Sequence, residues 1–204
     1  MATMQRSSVV EIAPCFRVSS PADAVVTDGV SIVLRAGGAF GDGRHETTQL
    51  CLQAVAAFAP RPRRAWRLLD FGSGTGILSI AAAKLGATAH GVEIDREAIA
   101  LAMENTRLSG VDERATFGES LASATGAFDL VVANILRRVL LAAADELAAR
   151  LAGDGTLVLS GLVATDVPEV SSRYAKLLGD RRGEIYERGD WRALVWRGAR
   201  RASS

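Results

Sequence analysis

After Pro60 the chain alternates short runs of consecutive apolar residues with longer stretches whose apolar positions recur at helical spacing. Runs such as LVVA at 130–133 and LVL at 157–159 contain no polar alternate, which suits strands covered on both faces. The pattern predicts strands over 67–70, 88–92, 115–117, 130–133 and 156–160, with helices over 76–85, 96–108, 139–151 and 167–178. In the second helix Ile99, Met103 and Leu108 fall near one face, and Pro168 is tolerated in the first turn of the last one. Such alternation predicts an α/β, Rossmann-like, mostly parallel sheet with helices on both faces. Two final strands, over 184–188 and 192–197, have no helix between them. They predict an antiparallel hairpin that closes a seven-stranded sheet.

Ahead of this pattern, AVVTDGVSIVLR at 24–35 places Asp28-Gly29 between β-branched residues, a hairpin signal. Neither an internal repeat nor a low-complexity linker breaks the chain. The expected organisation is an extension over 1–38 holding a strand pair, one α/β domain over 39–198, and a tail over 199–204.

Composition narrows the picture only a little. Of 204 residues, 49% are apolar and 23% charged, a soluble globular balance. A formal net charge of +1 without a long basic run gives no reason to expect direct nucleic-acid binding. The start, MATMQRSS, lacks an apolar signal core, and no uninterrupted apolar segment reaches membrane-spanning length. A cytoplasmic setting with no membrane partner is the expectation. Cys15 and Cys51 stand in no metal-ligand spacing, so no metal site is expected. Cys51 falls in an apolar helical pattern and predicts core packing.

Chemistry concentrates at three places. Asp70-Phe-Gly-Ser-Gly-Thr-Gly76 sits directly between the first long-domain strand and its helix. Asp70, Gly72, Gly74 and Gly76 are candidate cofactor-binding residues: the glycines let the main chain approach a ligand and offer amide groups at a helix N-terminus. The competing reading is a merely tight turn. A dinucleotide fingerprint requires G-x-G-x-x-G, and Ile77 occupies the place of its last glycine. Glu93 ends the second strand, where a carboxylate accepts both hydroxyls of a ribose. Asp95, just ahead of the next helix, suits a capping role better. Together the glycines and Glu93 point to a nucleoside, without choosing between a nicotinamide and a sulfonium cofactor. Asn134 ends the apolar run VVAN, at the edge where open parallel sheets bind ligands. It reads either as a turn residue or as an amide that orients an amine nucleophile.

AFGDGRHETTQLCL at 39–52, LLDFGSGTGILSIAAAKLGA, GVEID, FDLVVANIL and LVLSGL, in this order, resemble the methyltransferase family that modifies the eleventh protein of the bacterial large ribosomal subunit. The similarity runs from about Ala39 to Trp196. It implies a class I methyltransferase domain, S-adenosylmethionine as cofactor, and protein amines as acceptors. Carried over residue by residue, it implies cofactor roles for Thr48, Gly72, Glu93 and Asn134, and catalysis through Asn134. Ser120 resembles the residue beside the adenine, with Glu119 as its rival. His45 matches the histidine of the family's HETT segment, and His90 reads as packing.

Asp42 departs from the family, in which threonine is usual between those glycines. The family enzyme carries a recognition domain ahead of the catalytic one, and the residues before Phe40 do not read as such a module. The resemblance therefore implies the chemistry more strongly than the acceptor, and a small-molecule methyltransferase is the alternative. A nicotinamide-dependent oxidoreductase and a non-catalytic nucleoside-binding module are the readings from other classes. Ile77 and the intact ANIL segment count against them.

Overall fold

Alternate residues along the central strands belong to two different cores. The computed structural model describes residues 9–12, 14–24, 29–35, 40–59 and 65–198. In β4 (Trp66–Phe71), Leu68 enters one apolar cluster and Leu69 the other. In β7 (Phe128–Asn134), Leu130 and Val132 face the first, while Val131 and Ala133 face the second. The period of two explains why these strands read as unbroken apolar runs: both faces are covered. Each fully buried aliphatic side chain contributes roughly 1.5–3 kcal/mol on leaving water.

The seven-stranded sheet has the order β6-β5-β4-β7-β8-β10-β9. Here β5 is Ala87–Val92, β6 Ala115–Gly118, β8 Leu151–Val163, β9 Glu184–Arg188 and β10 Trp191–Trp196. Neighbours from β6 through β8 pair in parallel, and β10 pairs antiparallel with both β8 and β9. The expected closing hairpin is therefore present. Its outer strand β9 is a largely exposed edge, with Glu184, Glu187 and Arg188 along it.

One face carries α1 (Glu46–Phe58) and α2 (Ile77–Lys84). Residues Ile77 to Ala83 are all buried, so α2 is buried around its whole circumference, with Ser79 its one polar residue among them. The second cluster packs α4 (Arg137–Ala142), α5 (Ala144–Ala149) and α6 (Val167–Leu177) on the other face. α3 (Arg96–Leu108) starts at Asp95, whose side chain accepts from Glu97 N, the capping role its position suggested.

Two elements differ from the sequence pattern. The single helix expected over 139–151 begins earlier, is interrupted at Ala143 and ends at Ala149. No proline or glycine marks that interruption. Leu151 instead opens the long strand β8 and pairs with Phe128, with a register shift before Leu130.

The hairpin expected around Asp28-Gly29 falls partly on residues 25–28, outside the described residues. A small sheet precedes the main domain. β1 (Val10–Ile12) pairs antiparallel with β2 (Phe16–Ser19), and β2 pairs in parallel with β3 (Val30–Val33). Ile12, Phe16, Val18 and Ile32 share the α1/α2 cluster. Buried Asn105 of α3 ties this region to the glycine loop: it accepts from Arg35 N at 2.8 Å and donates to Thr75 O at 3.0 Å.

Candidate functional site

The exits of β4 and β5 are stitched together first. Gly72 N and Ser73 N both donate to Val92 O, at 2.8 and 3.1 Å. The glycine loop then turns into α2 through Gly76, its N-cap, at φ 78°. Across this loop lies the segment that starts at Phe40. Thr75 N donates to Phe40 O at 3.2 Å, and Thr75 Oγ1 donates to Gly41 O at 2.6 Å. Gly74, at φ 50°, would place a Cβ only 2.5 Å from Phe40 O. Glycine at that position is what lets the two main chains cross.

Glu93 closes the same loop from the side. Its Oε2 accepts from Gly74 N at 3.1 Å, and its Oε1 accepts from Ile94 N and Asp95 N at 2.8 and 3.1 Å. Asp70 lies beneath the loop, fully buried. Its Oδ2 accepts from Ser79 N and Ser79 Oγ at 3.1 and 2.8 Å, whereas Oδ1 has no partner among the described residues. Burial pushes the Asp70 carboxyl up to about 7, against the lowering effect of the Ser79 bonds, and the nearby Glu93 charge adds to the rise. Ser73 Oγ is a second buried oxygen at this loop without a partner among the described residues.

Asn134 ends β7 beside Ser160 of β8. Its Nδ2 donates to Thr48 Oγ1 over a long 3.4 Å. The next carbonyl, that of Ile135, stands against Gly161, where a Cβ would come within 2.8 Å of the oxygen. Gly161, at φ 83°, has no side chain to crowd that carbonyl.

A cavity of about 330 Å³ runs along this carboxyl edge. Gly72, Glu93, Asn134 and Ile135 line it, together with Phe40, His45 and Trp191. Of the residues singled out in the sequence, Gly72, Glu93 and Asn134 are thus brought together. Thr48 is buried behind the wall, and its neighbour Thr47 lines the cavity instead. Asp70, Gly74 and Gly76 build the loop from below and within, without lining the cavity. Ser120 sits in the exposed turn after β6, where its carbonyl accepts from Ser123 Oγ at 2.7 Å. Glu119, its rival, pairs with Arg96. Neither faces this cavity.

Sequence reasoning missed Trp191, Gly161 and Thr47. Only the HETT repeat of threonines hinted at the last; the other two arrive from β10 and β8 through tertiary packing. Cys51 is buried, and desolvation pushes its thiol up to about 12, so it stays protonated and inert. His90 is half-buried between Thr116 Oγ1 and Ser123 Oγ, each 2.9 Å away. Its pKa lies below the usual value, chiefly through burial and then through the Arg67 charge. Among the described residues no cluster of three or more His, Cys, Asp or Glu is placed to hold a metal ion.

Comparison with known proteins agrees with this geometry. The family model described as ribosomal protein L11 methyltransferase (PrmA) matches residues 5–199. The ribosomal protein L11 methyltransferase of Thiobacillus denitrificans is 45% identical over 146 residues, 71% of this chain and 48% of that protein. That of Syntrophotalea carbinolica is 45% identical over 145 residues, 70% of this chain and 45% of the other. The chain spans about half the length of the curated relatives it matches.

The crystal structure of a ribosomal protein L11 methylase from Lactobacillus delbrueckii subsp. bulgaricus superposes with a TM-score of 0.79 at 28% identity, covering 94% of this chain and 98% of that one. A precorrin methyltransferase from Geobacter metallireducens shares the fold at a TM-score of 0.60 and 18% identity, over 76% of this chain and 92% of the other. With its glycine loop, Glu93 and Asn134 on one edge of a class I methyltransferase sheet, the chain belongs to the ribosomal protein L11 methyltransferase family.

Proposed function

We propose that the chain transfers a methyl group from S-adenosylmethionine to a protein amine, with ribosomal protein L11 as the acceptor to test first. One observation carries this reading: Glu93, Gly72, Asn134 and Ile135 line a single cavity along the carboxyl edge of the sheet. Its volume of about 330 Å³ falls in the range of small-molecule sites. The acidic oxygens of Glu93, beside the side-chain-free backbone of Gly72 in the cavity lining, fit the hydroxyls of a nucleoside's ribose.

In this reading residues 39–198 form the methyltransferase domain, working in the cytoplasm. Glu93 accepts the ribose hydroxyls. Three amide groups already occupy its carboxylate. With about four acceptor sites in all, a diol's second hydroxyl takes the place of Gly74 N–H. Gly72, Gly74 and Gly76 let the loop approach the cofactor, Ser120 flanks the base, and Asp70 steadies the loop through Ser79. Thr48 holds the amide of Asn134 in one orientation.

The bound cofactor supplies an electrophilic methyl on a sulfonium. The acceptor must be a neutral amine, yet a lysine-type ammonium has an unperturbed pKa of about 10.4. Entry into an apolar cavity disfavours the charged form and promotes proton loss to water. Asn134 Oδ1 and the Ile135 carbonyl accept hydrogen bonds from the amine. They aim its lone pair and stabilise positive charge growing on nitrogen. Incubation with tritiated cofactor and unmethylated ribosomal protein L11 tests the reading. Label in the protein supports it; cofactor binding without any label removes it.

A further inference from the structure

His45 is the N-cap of α1, and its Nδ1 accepts from Thr47 N at 3.3 Å. The Thr47 hydroxyl lies 2.8 Å from the same nitrogen. A ring nitrogen that accepts a main-chain N–H carries no proton of its own. The neutral imidazole therefore holds its proton on Nε2. The ring is further clamped edge-on, with Phe40 at 5.2 Å and Trp191 at 5.0 Å between ring centroids. It lines the cavity with Nδ1 engaged at the helix terminus.

Its place in the cavity matters as much as its tautomer. Across the sheet the cavity runs from Glu93, after β5, past β4, β7 and β8 to Trp191 at the start of β10. At about 4.8 Å per strand interval, these ends stand roughly 19 Å apart. Asn134, on β7, lies midway along that order. His45 packs on Trp191, at the end away from Glu93. Around it the rim is apolar and open, with Phe40 55% and Leu136 59% exposed. Beyond Asn134, then, the chain offers an apolar entrance with a locked hydrogen-bond donor in its wall.

Building on the methyl-transfer reading above, we propose that His45 Nε2–H donates to a main-chain carbonyl oxygen of the acceptor polypeptide beside its target amine. His45 is thereby a specificity-determining residue for peptide-borne amines. His45→Asn separates this role from capping, because asparagine keeps an N-cap acceptor but has no donor at the reach of Nε2.

The test has two arms on the full chain. Nitrogen-15 spectra at pH 8, with His45 assigned by its loss in His45→Asn, should show a protonated Nε2 and an unprotonated Nδ1. With ribosomal protein L11 as acceptor, His45→Asn should lower kcat/KM about tenfold, mostly through KM. Its affinity for S-adenosylhomocysteine should stay close to wild type.

A proton on Nδ1 overturns the proposal. So does wild-type acceptor kinetics in His45→Asn. A loss confined to S-adenosylhomocysteine affinity also overturns it, since the donor would then serve the cofactor. If the wild type itself transfers no methyl to L11, the reading of the site fails and this inference falls with it. Transfer by the wild type with an unaffected variant sinks the inference alone.

Discussion

Gly74→Ala tests the crossing of the two site-forming segments. At φ 50° alanine pays a left-handed backbone penalty of roughly 1–2 kcal/mol. Its Cβ would also sit 2.5 Å from Phe40 O, below any real contact, and that obstacle is main chain, which cannot rotate aside. Relief requires lifting residues 40–41 off the loop. That breaks Thr75 N to Phe40 O and Thr75 Oγ1 to Gly41 O. At about 1 kcal/mol each, the crossing adds roughly 2 kcal/mol to the backbone term.

Gly110→Ala is the control, since Gly110 has φ 66° and nothing within 4 Å of its would-be Cβ. It should show the backbone penalty alone. For a chain of this size, each 1 kcal/mol lowers the melting temperature by about 2–4 °C. Gly74→Ala should therefore melt about 4–8 °C below Gly110→Ala. It should also become sensitive to trypsin at Arg44 and lose most of its affinity for S-adenosylhomocysteine. Equal melting temperatures, with unchanged proteolysis and binding, would refute the crossing.

Three further predictions concern single groups. Asp70 holds a proton in the folded state up to about pH 7 but loses it near 3.8 when unfolded. Its contribution to stability is therefore lost as pH rises through that window, and Asp70→Asn should gain on wild type by roughly 1 kcal/mol per pH unit there; urea unfolding from pH 4.5 to 7.5 reads this, and parallel curves would contradict it. Asn134→Ala should reduce turnover on L11 by about a hundredfold while S-adenosylhomocysteine affinity changes by no more than a few-fold; similar losses in both would leave Asn134 a cofactor contact only. Gly161→Ala sets a methyl 2.8 Å from Ile135 O and should slow transfer with cofactor binding intact, measured by single-turnover transfer beside calorimetry.

The central sheet was legible because strands buried on both faces leave an unmistakable trace: LVVA and LVL have no polar alternate to confuse with a helix. The glycine loop, Glu93 and Asn134 were equally readable, since each ends a strand and open parallel sheets gather their sites there. Asp95 announced its cap through the helix that follows. Thr47 and Thr48 could not be told apart by type; the N-cap at His45 sets which of the two faces the cavity. Trp191 and Gly161 left no local signal, because their nearness to Asn134 arises from the antiparallel return of β10 beside β8. The interruption at Ala143 was invisible for a different reason: alanine is the best helix former, and nothing local ends a helix there. The hydrogen bonds of Asn105, which bind the N-terminal sheet to the glycine loop, likewise belong to tertiary structure alone.

Calorimetric titration with S-adenosylhomocysteine, run side by side on wild type and Glu93→Ala, bears on the cofactor site most directly. The wild type should bind one equivalent in the micromolar range, and the variant should bind at least tenfold more weakly. No heat from the wild type at high micromolar ligand, or equal affinity in the variant, would contradict a nucleoside held by Glu93 at the carboxyl edge of the sheet.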